Sequence, residues 1–411
     1  MRKLLGITLG IMTALGGFVD LGQIVFTTQA GALFGYKLLW VIVLGTVGII
    51  VYMEMCGRVA VVAQKPVFCV VRTGLGKKLG LATLVASNLL NLITCAAEIG
   101  GVAEILHLLT GWPEKALLVG SCIAIAAFVH LVSFQRIERV FGLSGLLMIV
   151  FAVSAFHLHP DWQAVGRGLA PIVSLHGSRN TLLYAFFAVG IFSAMLMEYE
   201  VHFYSSGALE EDWKPSDLGE NFMVASLGSI LGSVLTIALM ILGAILFLPR
   251  HIFPELLSTT IMAGAFPFGK KALVIALLGA LVCIGGAAIE TALSGAYNVC
   301  QFYNFDWGKN RRAKDVPVFT IVWVGMLGLA LIIALTGVHP LELVNISIIF
   351  GMVVMPLTYY PILRAASKKS VMGKHANTRF VTAVGTLFLV LITAAAIAAI
   401  PLMFLTKSGK P

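Results

Sequence analysis

The chain has 411 residues, of which 59% are hydrophobic and only 11% charged, and its mean hydropathy is +0.97. No water-soluble domain of this size carries that balance, so the sequence reads as a polytopic, all-α membrane protein. The formal charge of +9 arises from 28 Lys and Arg against 19 Asp and Glu. Loop cations of a membrane protein account for it, and no nucleic-acid partner is needed.

Windows of about 20 apolar residues predict eleven spans, near 5–28, 36–57, 79–109, 116–134, 140–157, 180–206, 222–248, 271–303, 316–337, 340–363 and 379–405. Met1-Arg2-Lys3 runs into an apolar segment with no small-residue cleavage site, so the first segment reads as a span and not a cleaved leader. With the N-terminus inside, nineteen of the 28 Lys and Arg fall on the inner side. The expected topology is therefore N-terminus in and C-terminus out, across a cell (cytoplasmic) membrane.

The first span contains Gly16-Gly17-Phe18-Val19-Asp20-Leu21-Gly22-Gln23. An ionised Asp at a helix centre costs about 2.5–3.5 kcal/mol on insertion scales, so it persists where it has something to bind. Neighbouring glycines loosen the helix and free carbonyls, which is tolerated only around an internal cavity. That is how transporters build midplane cation sites. A glycine packing face with a protonated Asp is the plainer alternative. In the second span Glu54 lies four residues before Arg58, the spacing of a structural helix ion pair. The third span carries Glu98 and Glu104, and the eighth carries Glu290. Each is able to relay a proton or pair with a cation.

The sixth span carries Ser193-Ala194-Met195-Leu196-Met197-Glu198-Tyr199-Glu200-Val201-His202. Its polar centre lies five spans after that of the first, the spacing of two related halves. The halves would be residues 1–160 (spans one to five) and 175–365 (spans six to ten), with an eleventh span and tail over 376–411, all in one transport domain. Met197 with Asp20 and Gln23 makes a mixed soft and hard donor set, which favours first-row transition ions over magnesium or calcium. Most methionines in apolar helices are packing, and only the pairing with Asp20 raises Met197 above that. The six cysteines form no CxxC pair and read as fillers or free thiols. No Walker, Rossmann or nucleophile-elbow pattern is present, so neither an ATP-driven engine, nor an enzyme, nor a resident cofactor is expected.

The segment Gln29-Ala30-Gly31-Ala32-Leu33-Phe34-Gly35-Tyr36-Lys37-Leu38-Leu39-Trp40, directly after Asp20-Leu21-Gly22-Gln23, resembles the first two helices of the NRAMP family of divalent-metal transporters. Arg58, Ala97-Glu98-Ile99-Gly100, Ser205-Ser206 and Arg311-Arg312 before Pro317 match further family segments in order. The resemblance is strong through residues 20–40 and weak after about 320. It implies a LeuT-like fold of eleven helices, two inverted five-helix repeats plus one, and secondary transport of manganese or iron coupled to protons. Carried over by position, the metal ligands are Asp20, Gln23, the Ala194 carbonyl and Met197. Glu98, Arg311 and Arg312 fall on the proton route, with Glu198, Tyr199 and Glu200 beside the site.

This sequence departs from the family's Asp-Pro-Gly-Asn and Met-Pro-His motifs. Leu21 and Glu198 stand for the prolines, Gln23 for the asparagine, and Tyr199 and Tyr204 for the histidines. Losing both histidines removes groups that titrate near neutral pH, and leaves Glu200 to take the proton or neutralise the cation. His202 is expected to pack. Asn345 is a candidate helix-ten ligand. Magnesium as cargo, and a LeuT-like carrier of an organic cation or amino acid, remain the alternatives; a ligand sensor is a third. The expected partners are a divalent cation as substrate, protons and the bilayer.

Overall fold

The computed structural model describes residues 19–171 and 178–410. Among these the chain is helical, with no strand. The helices are α1 (Leu21–Phe34), α2 (Leu39–Ala63), α3 (Val67–Thr110), α4 (Glu114–Leu131), α5 (Phe134–Gly145), α6 (Ile149–His157), α7 (Trp162–Gly168), α8 (Ser178–Ala194), α9 (Glu198–Glu210), α10 (Leu218–Leu246), α11 (Leu257–Ala265), α12 (Lys270–Tyr303), α13 (Pro317–Leu335), α14 (Pro340–Ser367), α15 (Lys369–Met372) and α16 (Arg379–Leu405).

Ten segments among the described residues are long and apolar enough to cross a membrane, and they match the second to eleventh spans predicted from sequence. Residues 5–18 of the first predicted span, including Gly16 and Gly17, lie outside the described residues. Within the described residues α1 starts at Leu21 and runs to Phe34, six residues past the predicted end at 28. α3 is two helical stretches that meet at a kink at Gly76, and the span predicted over 79–109 is the second of them. Gly76 has φ +77°, a left-handed conformation that a residue without Cβ adopts at no steric cost. Apolar windows missed α7 and α11, which are too short to span.

The long α3 is the centre of the bundle, packed chiefly on α12 and α14, while α1 packs on α10 and α9 on α2 and α12. Small residues permit this closeness. Gly101 of α3 accommodates Leu21 and Ile284, so the start of α1 is held between α3 and α12. The Glu54–Arg58 pair exists as predicted, at 2.7 Å, and Arg58 also donates to the His375 carbonyl and to Asn377 Oδ1. This clamp ties α2 to the segment before α16.

Candidate cation site

The predicted interruption of the sixth span is present, and it meets the start of α1. α1 begins at Asp20, an extended N-cap (φ −71°, ψ 179°) whose Oδ1 accepts the Gln23 amide hydrogen at 2.8 Å. Asp is a favoured cap because its side chain satisfies an orphan N–H of the first turn. The sixth span breaks between α8, ending at Ala194, and α9, starting at Glu198, with Met197 as the extended cap. No proline is needed there. Ser193 Oγ donates to the Ile348 carbonyl of α14 at 2.5 Å, which anchors the end of α8. Glu198 and Glu200 then sit in the first turn of α9, where carboxylates complement the positive end of the helix dipole.

Asp20 is the point of contact. Its Oδ2 accepts the Tyr199 hydroxyl at 3.0 Å, and the Tyr199 carbonyl accepts Ser294 Oγ of α12 at 2.8 Å. Asp20 is 1% exposed. An amide or hydroxyl cap would satisfy the helix end equally well, so capping alone does not call for a charge here.

Gln23, Ala194 and Met197 are all buried. Gln23 Nε2 meets the Met195 sulfur at 3.5 Å, while Gln23 Oε1 accepts Thr27 Oγ1 at 3.2 Å. The thioether in contact with Gln23 is therefore Met195, which sequence reasoning passed over in favour of Met197. A half-turn of the Gln23 amide would aim its oxygen at the Met195 sulfur, giving one hard and one soft donor a common focus. Gly45 of α2 makes room for Met195: a Cβ there would lie 2.5 Å from Met195 Cβ. Ala194 is the last residue of α8, where terminal carbonyls lack intrahelical donors.

Glu98 joins the same centre, its Oε2 accepting the Leu21 amide at 3.4 Å while Oε1 has no donor. Glu198 Oε2 accepts Thr358 Oγ1 at 3.0 Å, and Tyr52 donates to that same hydroxyl, so α2, α9 and α14 share one relay. Thr358 was not legible as a site residue. Glu200 and Glu290 are fully buried, none of their four oxygens has a donor, and they lie within electrostatic range of each other and of Asp20. Among the described residues no three His, Cys, Asp or Glu converge as a metal cluster.

Four predicted positions stand elsewhere. Arg311 pairs with Asp306 at 2.8 Å on an exposed loop, and with Arg312 it lines a surface cavity of about 460 Å³ bounded by Lys309 and Lys314, apart from Glu98. Asn345 is only half-buried; Ile348 and Thr358 are the α14 groups that meet the broken helix. Glu104 is partly exposed, unlike Glu98. His202 packs as expected, with neither ring nitrogen bonded and its edge on Phe68 at 5.2 Å. Tyr204 donates to Asn221 Oδ1 at 3.0 Å. The six cysteines are free thiols.

The comparisons agree with this architecture. The chain is 25% identical over 395 residues to the divalent metal cation transporter MntH of Bacillus subtilis, covering 92% of this chain and 87% of the relative. A solved manganese transporter of Eremococcus coleocola superposes with a TM-score of 0.71 at 19% identity, over 96% of this chain and 86% of that one. MhsT, solved in complex with L-phenylalanine, superposes at 0.63 with 18% identity and 98% of each chain covered, which extends the shared LeuT-like fold beyond metal carriers. The family model described as natural resistance-associated macrophage protein-like matches residues 10–401, and the chain belongs to this Nramp family of membrane transporters.

Proposed function

We propose that the protein is a secondary transporter that moves a divalent metal cation across the cell membrane by alternating access, with manganese or iron favoured and magnesium the alternative. The observation that carries this is the meeting of two helix starts, the cap of α1 and the first turn of α9 after the sixth-span break, at one buried carboxylate, Asp20, with the Gln23 amide on the Met195 thioether in the same first turn of α1. Interrupted helices at a midplane carboxylate offer an ion a site without a full side-chain cage. The thioether favours a transition ion over magnesium. The names of the MntH relatives point the same way.

In this reading Asp20, Gln23, the Ala194 carbonyl and a methionine, Met197 or Met195, hold the cation. Asp20 neutralises charge, Gln23 turns its oxygen inward, and the methionine discriminates by softness. Glu98, Glu198, Tyr199 and Glu200 surround the ion with groups able to accept or give a proton, while Arg311 and Arg312 act from the loop. The moving parts are the halves 1–160 and 175–365, in a chain with its N-terminus inside and its C-terminus outside.

The test is uptake into proteoliposomes with manganese, magnesium and calcium compared and a pH dye in the lumen. Saturable manganese uptake, competed by cadmium, is expected. A parallel proton signal establishes coupling. Absence of uptake for every divalent ion overturns the reading in favour of an organic solute.

A further inference from the structure

The cavity of about 460 Å³ that holds Arg311 and Arg312 has no part in the cation site. Its wall is made by the last residues of α4, the turn into α5, the loop 308–316 and the first two turns of α13. One apolar span ends in that wall and another begins there, so the cavity lies where the membrane meets water. Its size is that of a small-molecule pocket, about 300–1,000 Å³. The loop is fixed in place. Asn310 Oδ1 accepts the Phe134 amide hydrogen at 3.0 Å, and Glu210 Oε1 accepts both the Lys309 amide hydrogen and the Tyr297 hydroxyl. Gly308 has φ +140°, and a Cβ there would lie 3.3 Å from Arg311 Cγ and Cδ. The missing side chain lets the Arg311 stem fold back over the loop.

Four cations, Lys309, Arg311, Arg312 and Lys314, line the cavity, and no Asp or Glu does. Asp306 answers Arg311 at 2.8 Å. Arg312 and Lys314 are exposed and have no ion-pair partner among the described residues. Like charges around a concavity repel one another, and its walls focus their field on any anion that enters. The N-terminus of α13 adds to this field. Its cap position, Val316, lines the cavity and supplies no side-chain acceptor, so the first-turn amide groups keep their positive ends free. The opposite wall is apolar, formed by Val129, Val132, Phe319 and Trp323. At its edge Leu131 is 78% exposed and Ile321 of α13 is 70% exposed, as side chains against lipid tails are. A basic mouth with an apolar flank at the membrane edge is complementary to an anionic lipid. A soluble phosphate would use the mouth and leave the flank bare.

We propose that this cavity binds the phosphate headgroup of an anionic phospholipid of the bilayer, with Arg312 and Lys314 as its main contacts and the acyl chains along Leu131 and Ile321. A guanidinium engages two phosphate oxygens at once, and the lysine adds a point charge. Lys309 and the Asp306-paired Arg311 complete the rim. The seated lipid bridges the end of α4 and the start of α13. The site goes beyond the transporter reading and stands whether or not that reading holds.

The experiment uses the full chain purified in detergent, with retained lipid counted by native mass spectrometry as phosphatidylglycerol or phosphatidylcholine is added. The parent is expected to retain one phosphatidylglycerol and to release phosphatidylcholine. Each cation beside an anionic headgroup contributes about fivefold, so Arg312→Gln with Lys314→Gln should weaken retention roughly thirtyfold. Lys77→Gln with Lys78→Gln removes the same charge from exposed positions at the same end of the bundle, where Arg72 of α3 donates to the Phe302 carbonyl at the end of α12. That variant should retain the lipid. Equal loss in both double variants reduces the effect to diffuse surface charge and overturns the site. Unchanged binding without Arg312 and Lys314, or equal retention of the two lipids by the parent, overturns it as well. Glycerol 3-phosphate that displaces the lipid and binds as tightly overturns the lipid in favour of a soluble phosphate. If the double variant fails to fold by size exclusion, Lys314→Gln alone decides, with a loss of about fivefold expected.

Discussion

Tyr199 donates its hydroxyl hydrogen to Asp20 Oδ2 across 3.0 Å, so the first turn of α9 is joined to the cap of α1 by the group that should hold the cation. The hydroxyl and an incoming ion compete for the same oxygen. Tyr199→Phe removes the competitor and leaves the ring. We expect tighter cation binding in calorimetry, set against a loss of about 1.5–3 kcal/mol of stability from a bond to a charged group. Weaker binding would mean that Tyr199 holds Asp20 in its binding pose.

Capping and charge can be separated at Asp20. Asn caps helices about as well as Asp, so Asp20→Asn is expected to express and melt like the parent. It removes an attraction of about 4 kcal/mol for a unit charge about 4 Å away at an effective dielectric of about 20, roughly a thousandfold in affinity. Radiotracer uptake should vanish. Retained uptake in this variant would falsify the site.

The two methionines give opposite expectations. Met195 touches Gln23, whereas Met197 caps α9. Leu conserves volume at either position and costs less than about 1.5 kcal/mol. Met195→Leu should weaken manganese and cadmium binding more than magnesium binding. Met197→Leu distinguishes the alternatives: if it alone produces the selective loss, the thioether ligand is Met197, as the family pattern implies.

Gly45 supports Met195 from outside the site. A methyl group at Gly45 would lie 2.5 Å from Met195 Cβ and 2.8 Å from its Cγ. Gly45→Ala must push the end of α8 away from α2, at about 1–3 kcal/mol for overpacking. Its uptake should fall through a raised KM for manganese, with assembly intact by size exclusion. An unchanged KM would show that the placement of Met195 does not govern binding.

Hydropathy alone placed the spans from the second onward, because the energetic demand of a hydrocarbon layer is written in runs of about 20 apolar residues. The break in the sixth span and the buried carboxylate at the start of α1 were also legible, since Ser193 to Glu200 and Asp20 are too polar to cross lipid without a purpose. So was the Glu54–Arg58 pair, which is a matter of helical spacing.

Other relationships had no local signature. That the chain turns at Gly76 before the third span depends on a single residue with positive φ. That Met195 and not Met197 meets Gln23 depends on how α8 is anchored by Ser193 to Ile348, 155 positions away in sequence. Thr358 reaches Glu198, and Arg311 stays with Asp306 on the surface, only because the helices that carry them pack as they do. The sequence by itself determined that carboxylates are buried in the membrane, because composition fixes how much polar surface the spans must hide. Only the tertiary structure decided which of them meet, because side-chain partners are set by the packing of helices distant along the chain.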